Sequence, residues 1–145
     1  MARYSAFVTT GAGSTTLPII SLYAPAGNGL WVREVGVFNT TTTAAGLKLV
    51  RLSTTGTQGG AITPAKFNSD APAATGNPRT THTVAPTLAG DIAAMPIGAA
   101  IGAGTILTFY GENNGLKIDS GTGNGIGIIP LGTGQVCTAY IFWDE

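Results

Sequence analysis

The sequence is short of the residue types that most catalytic and metal-binding sites use. Its 145 residues include one cysteine, Cys137, and one histidine, His82. A single cysteine excludes an intrachain disulfide, and one cysteine with one histidine cannot build a His/Cys metal cluster within a chain. A Ser-His-Asp triad would have to use His82, which stands between threonines, so we expect a surface or interface imidazole instead.

Charge is equally scarce. Seven Lys and Arg residues balance seven Asp and Glu residues, and charged residues make up 10% of the chain, whereas an ordinary soluble domain has about 25%. The basic residues form no cluster in the sequence that could meet nucleic-acid phosphates. A neutral surface with few ionic groups therefore favours association with other proteins over binding to nucleic acid.

Sequence motifs for nucleotides, calcium and sugar hydrolysis are lacking too. Neither G-x-G-x-x-G nor G-x-x-x-x-G-K-[ST] occurs, and the oxygen-rich segment 119–124 has a single carboxylate, Asp119, where a calcium loop needs several. The acidic residues lie mostly beside turns and select no pair for glycoside hydrolysis. We therefore expect no catalytic residue, no cofactor and no metal, and a small carbohydrate-active enzyme is the weakest functional hypothesis.

What the sequence has in excess is glycine and threonine. Glycine accounts for 22 residues, and β-branched residues are frequent, while Glu, Lys and Leu are too scarce for long helices. About eight to ten short antiparallel strands, separated by turn residues, can be traced along the chain. We predict an all-β fold, a single β-sandwich or jelly-roll domain over residues 1–145, with a closed up-and-down barrel as the alternative.

The longest strand-like segment, residues 29–43, organises this prediction. Apolar residues lie on both of its faces, so we expect a central strand. It is expected to pair antiparallel with the next strand, residues 46–53. Strict alternation puts Trp31 and Phe38 on opposite faces, and one of them is expected to pack in the core.

Two charged residues interrupt this strand. Under alternation, Arg33 and Glu34 point to opposite faces. One interpretation is ion pairing with neighbouring strands, for example with Arg51. The other is that one of the two charges lies at a contact between chains and sets its register. Because the strand is apolar on both faces, we predict the contact between chains.

Several other segments are predicted to have particular structures. Residues 1–10 form a first strand or N-terminal arm, and residues 54–78 form a long contact loop, since loops of this length are otherwise unusual in a compact domain. Within the loop, Thr63 and Pro64 favour one short helical turn. Residues 112–115 are expected to form the turn of a hairpin.

An apolar stretch between Asp91 and Glu112 has the length of a membrane span. Pro96, several glycines and two threonines weaken its apolar character. We expect instead a buried strand, a Gly-Ala turn and a second strand beginning at Thr105, and therefore no membrane partner.

Several segments together resemble small structural proteins of tailed bacteriophage virions, and the likeness extends over most of the chain. They are VREVGVFNTT at 32–41, LKLVRLSTTGTQGG at 47–60, THTVAPT at 81–87, GIGIIPLGTGQ at 125–135 and the terminal YIFWDE. The resemblance implies a jelly-roll or β-sandwich protein that decorates or cements the capsid, as a trimer on the major capsid protein. No catalytic residue comes with it.

We therefore expect a non-enzymatic virion protein on the outer capsid surface. Synthesis is expected in the host cytoplasm, because the first residues do not read as a secretory signal. Its partners are expected to be copies of itself and the major capsid protein. The residues expected at these contacts are Arg3, Tyr4, Phe7, Arg33, Glu34, Lys66, Phe67 and Arg79.

The alternative is a receptor-binding or fibre knob that recognises host-surface glycans. It would use exposed aromatic residues such as Tyr23, Tyr110 or Trp143. Knobs usually sit on a coiled-coil or collagen-like stalk, and the sequence has neither heptads nor a G-X-Y repeat. Capsid decoration is therefore the leading expectation.

Overall fold

The structure, a computed structural model, describes residues 1–10, 14–110, 115–132 and 136–145. These residues form eleven β-strands and no helix. The strands are β1 (Arg3–Thr9), β2 (Ile20–Tyr23), β3 (Leu30–Asn39), β4 (Ala45–Leu52), β5 (Ala65–Lys66), β6 (Asn77–Thr80), β7 (Leu88–Ile97), β8 (Gly104–Thr108), β9 (Leu116–Ile118), β10 (Gly125–Pro130) and β11 (Cys137–Asp144).

The strands form two antiparallel sheets that pack as a sandwich. The six-stranded sheet has the order β5-β1-β11-β3-β8, with β9 also paired to β3, and the five-stranded sheet has the order β6-β2-β10-β4-β7. β1 pairs with β11, β2 with β10, β3 with β8 and β4 with β7. These are the pairings of one long hairpin rolled around itself, which is a jelly roll, so the predicted fold class is confirmed.

The core lies between the two sheets, where inward-facing side chains from alternate strand positions interdigitate. Trp143 of β11 is its largest fully buried side chain. It stacks on Tyr4 of β1 with ring centroids 5.9 Å apart. The aliphatic residues packed around them include Ile20, Leu22, Leu30, Val37, Leu49, Ile126 and Ile141.

β3 changes the face that it turns to the core. Val32 and Val35 are both fully buried in the core, although strict alternation puts residues three apart on opposite faces. The register between β3 and β11 passes over Arg33, which is the signature of a β-bulge. Trp31 before the bulge and Phe38 after it therefore both point outward, and both are partly exposed. The prediction that one of them packs in the core is wrong.

Two predicted strand pairings are also wrong. β3 and β4 belong to different sheets, because the connection between them crosses the sandwich as the jelly roll requires. β8 and β9 do not pair as a hairpin, since β8 pairs with residues 34–38 of β3 and β9 pairs with residues 30–32 along the same edge. The predicted hairpin turn, residues 112–115, lies mostly outside the described residues.

Residues 53–76 form a long connecting segment between β4 and β6, which we call the excursion. Its middle is extended, because β5 pairs with β1 and the backbone N–H of Phe67 donates to the carbonyl of Arg3 at 3.0 Å. The helical turn predicted at Thr63 and Pro64 is therefore wrong, since pairing with a neighbouring strand overrides the local preference. The excursion is thereby attached to the edge of the six-stranded sheet.

The apolar stretch between Asp91 and Glu112 forms most of β7 and all of β8. Among the described residues, no helix has the length and the apolar character needed to cross a membrane. The second strand of this stretch begins at Gly104, one residue before the predicted Thr105.

Candidate interaction surface

The outer side of the six-stranded sheet carries an aromatic surface. Phe7 of β1 lies opposite Tyr140 of β11, and Tyr140 lies opposite Gly36 of β3. Gly36 in turn lies opposite Ile106 of β8. This row points outward because the neighbouring positions of each strand point toward the core. Together with adjacent rings it makes up the aromatic face, defined as Phe7, Phe38, Phe67, Ile106, Tyr140 and Phe142.

The rings of the aromatic face contact one another. The centroids of Tyr140 and Phe142 are 4.6 Å apart, and Phe67 meets Phe142 edge to face at 5.2 Å. Phe38 stacks on Tyr140 at 6.2 Å. Such pairs contribute about 0.5–1.5 kcal/mol each beyond the area they bury. Nevertheless Phe7 is 61% exposed and Phe67 57% exposed, so the rings are ordered on a side that the chain itself does not cover.

Gly36 and Glu34 hold the Tyr140 ring flat against the sheet. A Cβ atom at residue 36 would lie 2.2 Å from this ring, so the ring occupies the space above the glycine. The Tyr140 hydroxyl donates a hydrogen bond of 2.6 Å to Oε1 of Glu34. Burial, and then this hydrogen bond and the Glu34 charge, raise the pKa of Tyr140. The carboxylate of Glu34 is therefore engaged within the chain.

Asp144 pairs with two arginines at one end of the aromatic face. Its carboxylate lies 2.8 Å from Nε of Arg3 and 2.6 Å from Nε of Arg33. Burial acts to raise the pKa of Asp144, but hydrogen bonds from both arginines hold it below its ordinary value. Arg33 is thus paired with a neighbouring strand, as one interpretation of the sequence allowed. Arg51 takes no part in this and donates to the carbonyl of Lys117 at 2.7 Å.

The structure brings together most of the residues expected at contacts with other chains. Tyr4 is the first exception, because it is fully buried in the core and its hydroxyl donates to the carbonyl of Pro72 at 2.9 Å. Arg79 is the second, since it lies on β6 in the other sheet. Lys66 is the third, because it lies opposite Tyr4, whose side chain points to the core, and its own side chain therefore points away from the aromatic face. The residues that lie on or beside the aromatic face are Arg3, Phe7, Arg33, Glu34 and Phe67.

Sequence reasoning missed four members of the aromatic face, Phe38, Ile106, Tyr140 and Phe142. The last strand does show aromatic residues on both of its faces, which signals that it packs on two sides. A glycine at position 36, in the middle of the strongest strand, is a second signal, because glycine inside a strand marks a close approach. Nothing in the sequence shows, however, that Gly36 and Tyr140 meet.

The outer side of the five-stranded sheet is covered by the chain itself in part, at residues of β2, β4 and β10, whereas the edge strand β7 is mostly exposed. His82 is 2% exposed and lies across this sheet. Its Nε2 is 2.9 Å from Oγ of Ser21 and 3.5 Å from the hydroxyl of Tyr23. Its backbone N–H donates to the carbonyl of Pro18 at 3.2 Å. We term the buried residues on this outer side the covered patch, defined as Ser21, Tyr23, Val50, Leu52 and Ile129.

Ser21 and His82 have the contact of a nucleophile and a base, but Ser21 is fully buried, so a substrate has no access to it. Burial lowers the pKa of His82, a backbone hydrogen bond with Thr55 opposes this, and the charge of Arg79 lowers it further. The imidazole is therefore neutral and structural. The sequence predicted a surface or interface imidazole. This prediction is wrong, because His82 is buried inside its own chain.

A polar cleft at one end of the sandwich is a separate concave feature among the described residues. In the described part of the chain, no group of three or more His, Cys, Asp and Glu side chains converges to hold a metal ion. A cleft of about 290 Å³ at one end of the sandwich is lined by Arg51, Lys117 and Asp119, among others. Lys117 and Asp119 form an ion pair of 2.8 Å across it, and this pair lowers the pKa of Asp119.

The aromatic residues expected to bind glycans in the alternative function are mostly inaccessible. Tyr23 and Trp143 are fully buried, whereas Tyr110 is 86% exposed. Tyr23 belongs to the covered patch and Trp143 to the core. Only Tyr110 of the three is therefore placed where it could meet a ligand.

Comparison with known proteins gives similarity at the level of solved structures. No protein-family model matches the chain, and no curated protein sequence matches it. The globular domain of zebrafish complement 1qA protein is 8% identical, with a TM-score of 0.39 over 99% of this chain and 96% of that one. The virus-like particle of the extra small virus of the giant freshwater prawn Macrobrachium rosenbergii gives 9% identity and a TM-score of 0.40, over 97% and 76% of the chains. The jelly roll assigned above rests on strand pairing and not on these similarities.

Proposed function

We propose that this protein is a non-enzymatic structural protein of a phage virion, which forms homotrimers through the aromatic face and decorates the capsid. The single observation that carries the proposal is the aromatic face, a contiguous set of ordered rings that the chain leaves uncovered. Monomeric proteins rarely expose contiguous apolar surface of this kind unless it binds a partner. The aromatic face is therefore an interface.

The charges around the aromatic face favour further copies of the same chain as the partner. Arg3 and Arg33 are paired with Asp144, and Glu34 accepts a hydrogen bond from Tyr140. These charged groups thus have partners within the chain before assembly. They do not need oppositely charged groups from a different protein to pair with. An uncharged aromatic surface fits a copy of itself in a symmetric oligomer. The trimer follows from the resemblance to phage decoration proteins.

Contacts with the major capsid protein are proposed for the surface around the excursion, where Lys66 is exposed on the side of β5 that points away from the aromatic face. A trimer presents each such contact three times. Several weak contacts made together give a much higher effective affinity than one contact alone. The low overall charge of the chain suits a protein whose surface is largely covered in an assembly.

The aromatic face is tested by the molar mass of two matched variants in solution. Light scattering after size-exclusion chromatography is expected to give a trimer for the wild type and a smaller species for Phe7→Ser. Ile101→Ser is the control, because Ile101 is 73% exposed but lies in the turn between β7 and β8, and it is expected to remain a trimer. A monomeric wild type, or equal effects of the two substitutions, would contradict the proposal.

Capsid decoration is tested with particles assembled without this protein. Purified wild-type protein is expected to bind them saturably and to raise the temperature at which they release nucleic acid. Phe7→Ser is expected to bind more weakly, because it presents its capsid contacts singly. Binding to host cells with no effect on the particles would instead favour the receptor-binding knob.

A further inference from the structure

Three of the four outer edges of the two sheets are closed or interrupted. Beside β1, the excursion adds β5. At the edge formed by β6, Ala61 of the excursion forms an isolated β-bridge with Arg79. β7 has two register shifts against β4, Gly90 with a φ of 150° and Pro96, which has no N–H to offer. Such features prevent another strand from adding to an edge.

β8 has none of these protections. It pairs with β3 over five residues without a register shift, and it contains neither proline nor a charged residue. Within the described part of the chain, no strand pairs with its second edge. An edge of this kind is a template on which another strand can form.

Two hydrogen bonds at the ends of β8 show which of its residues bond to β3. The backbone N–H of Phe109 donates to the carbonyl of Arg33 at 2.8 Å. At the other end, the N–H of Asn39 donates to the carbonyl of Ala103, also at 2.8 Å. Bonding alternates along an antiparallel strand, so the odd-numbered residues between 103 and 109 direct their backbone groups to β3.

The even-numbered residues of β8 therefore direct their backbone groups to the open edge. They are Gly104, Ile106 and Thr108, and this set is symmetric about Ile106. A two-fold axis beside Ile106 would let it exchange two hydrogen bonds with its own copy, while Gly104 and Thr108 pair with each other on both sides. The Ile106 side chain is 50% exposed, so the two copies would also contact through their side chains.

We propose that β8 pairs antiparallel with β8 of a second copy of this chain, centred on Ile106. The pairing would form about six backbone hydrogen bonds by the antiparallel pattern. It would join two six-stranded sheets into one continuous sheet with both aromatic faces on the same side. These bonds lie in the plane of the sheet, whereas the trimer contact proposed above is made by its outer side. The two contacts can therefore be removed separately.

Two matched cysteine variants test the proposed symmetry. Two copies of residue 106 would face each other with Cα atoms about 5.5 Å apart, a distance that a disulfide spans. Mild oxidation is expected to convert most of Ile106→Cys to a disulfide-linked dimer on a non-reducing gel. Thr108→Cys would face Gly104 of the other copy and is expected to run as a monomer. The wild type, whose Cys137 is buried, gives the background. Equal cross-linking of both variants, or none in Ile106→Cys, would overturn the pairing.

Amide hydrogen exchange by NMR distinguishes this pairing from the trimer. In concentrated wild-type protein, the amides of Ile106 and Thr108 are expected to exchange at least roughly ten times more slowly than solvent-exposed amides without a hydrogen bond. Thr108→Pro removes one outward N–H but no bond to β3, as proline on an edge strand permits, and Thr108 is not part of the aromatic face. It is expected to speed exchange at Ile106 while the variant remains a trimer. Fast exchange of both amides in the concentrated wild type would overturn the pairing even if the trimer is observed.

Discussion

The two sheets present their outer sides to different surroundings. On the five-stranded sheet, His82 lies against Ser21 and Tyr23, and Pro18 lies over the neighbouring Gly127 of β10. On the six-stranded sheet, Phe7 and Ile106 are at least half exposed, although the rings beside them are packed together. The chain thus completes the burial of one apolar surface by folding and leaves the other to association. Removing a side chain from each side separates these two contributions.

The largest effect on folding is expected at the covered patch. Tyr23→Ala removes a fully buried ring and leaves a cavity beneath His82. Comparable aromatic-to-alanine substitutions in cores cost about 3–5 kcal/mol of the free energy of unfolding. Urea unfolding followed by fluorescence measures this loss. A loss below about 1 kcal/mol would show that the covered patch is not packed as described.

The second-largest effect is expected from acid, which should lower the free energy of unfolding through His82 above the covered patch. Burial lowers the pKa of His82 below its ordinary value of 6.5, so the unfolded chain takes up a proton at a pH where the folded chain does not. The free energy of unfolding should therefore fall as the pH drops below 6.5, until the lower folded-state pKa is passed. Tyr23 and Ser21 face the ring uncharged, and Arg79 disfavours its protonation further.

Urea unfolding at several pH values between about 8 and 5 measures this acid effect. His82→Gln provides the control, because it removes the titrating ring and keeps a polar side chain. The variant is expected to lose this component of the pH dependence. If the variant and the wild type show the same slope, the acid sensitivity comes from other groups.

A smaller effect is expected at the centre of the aromatic face. Tyr140→Phe removes the hydrogen bond to Glu34 and keeps the ring above Gly36. Loss of one hydrogen bond to a charged group at a partly exposed site is expected to cost about 1 kcal/mol. The double substitution with Glu34→Ala in a mutant cycle measures the coupling. Additive effects of the two substitutions would show that the hydrogen bond contributes nothing.

The smallest effect on folding is expected where the effect on association is greatest. Phe7 is 61% exposed, so Phe7→Ser is expected to change the free energy of unfolding of the monomer by about 0.5 kcal/mol or less. Unfolding is best measured at protein concentrations low enough to dissociate the trimer. A large loss of monomer stability would mean that the aromatic face serves folding, and the contrast with the covered patch would then disappear.

Much of the fold could be predicted from local residue patterns. β-branched and aromatic residues at alternating positions, separated by glycine-rich turns, locate β1, β3, β4 and β11 to within a few residues. The pairing of these strands could not be predicted in the same way. Neighbours in sequence, such as β3 and β4, were expected to pair, but the jelly roll places them in opposite sheets.

The candidate interface was predicted in part for a similar reason. Arg3, Phe7 and Phe67 were predicted at contacts from the segments in which they stand, and the structure places them on or beside the aromatic face. Tyr140 and Phe142 were missed, because their outward position depends on which strands flank β11. Residues from four strands and the excursion come together on this surface, and local sequence patterns do not predict which segments will be neighbours.

The amino-acid sequence was sufficient to establish an all-β chain of low charge with apolar residues on both sides of its central strand, since these properties depend on residue type and spacing. Which side of each strand faces the core, and which outer side is covered, depends on contacts between segments that are distant in the sequence. The bulge at Arg33 reverses the faces of β3 through its register with β11, and His82 covers Ser21 from 61 residues further along the chain. Strand formation is local, whereas the covering of a sheet depends on where the rest of the chain packs.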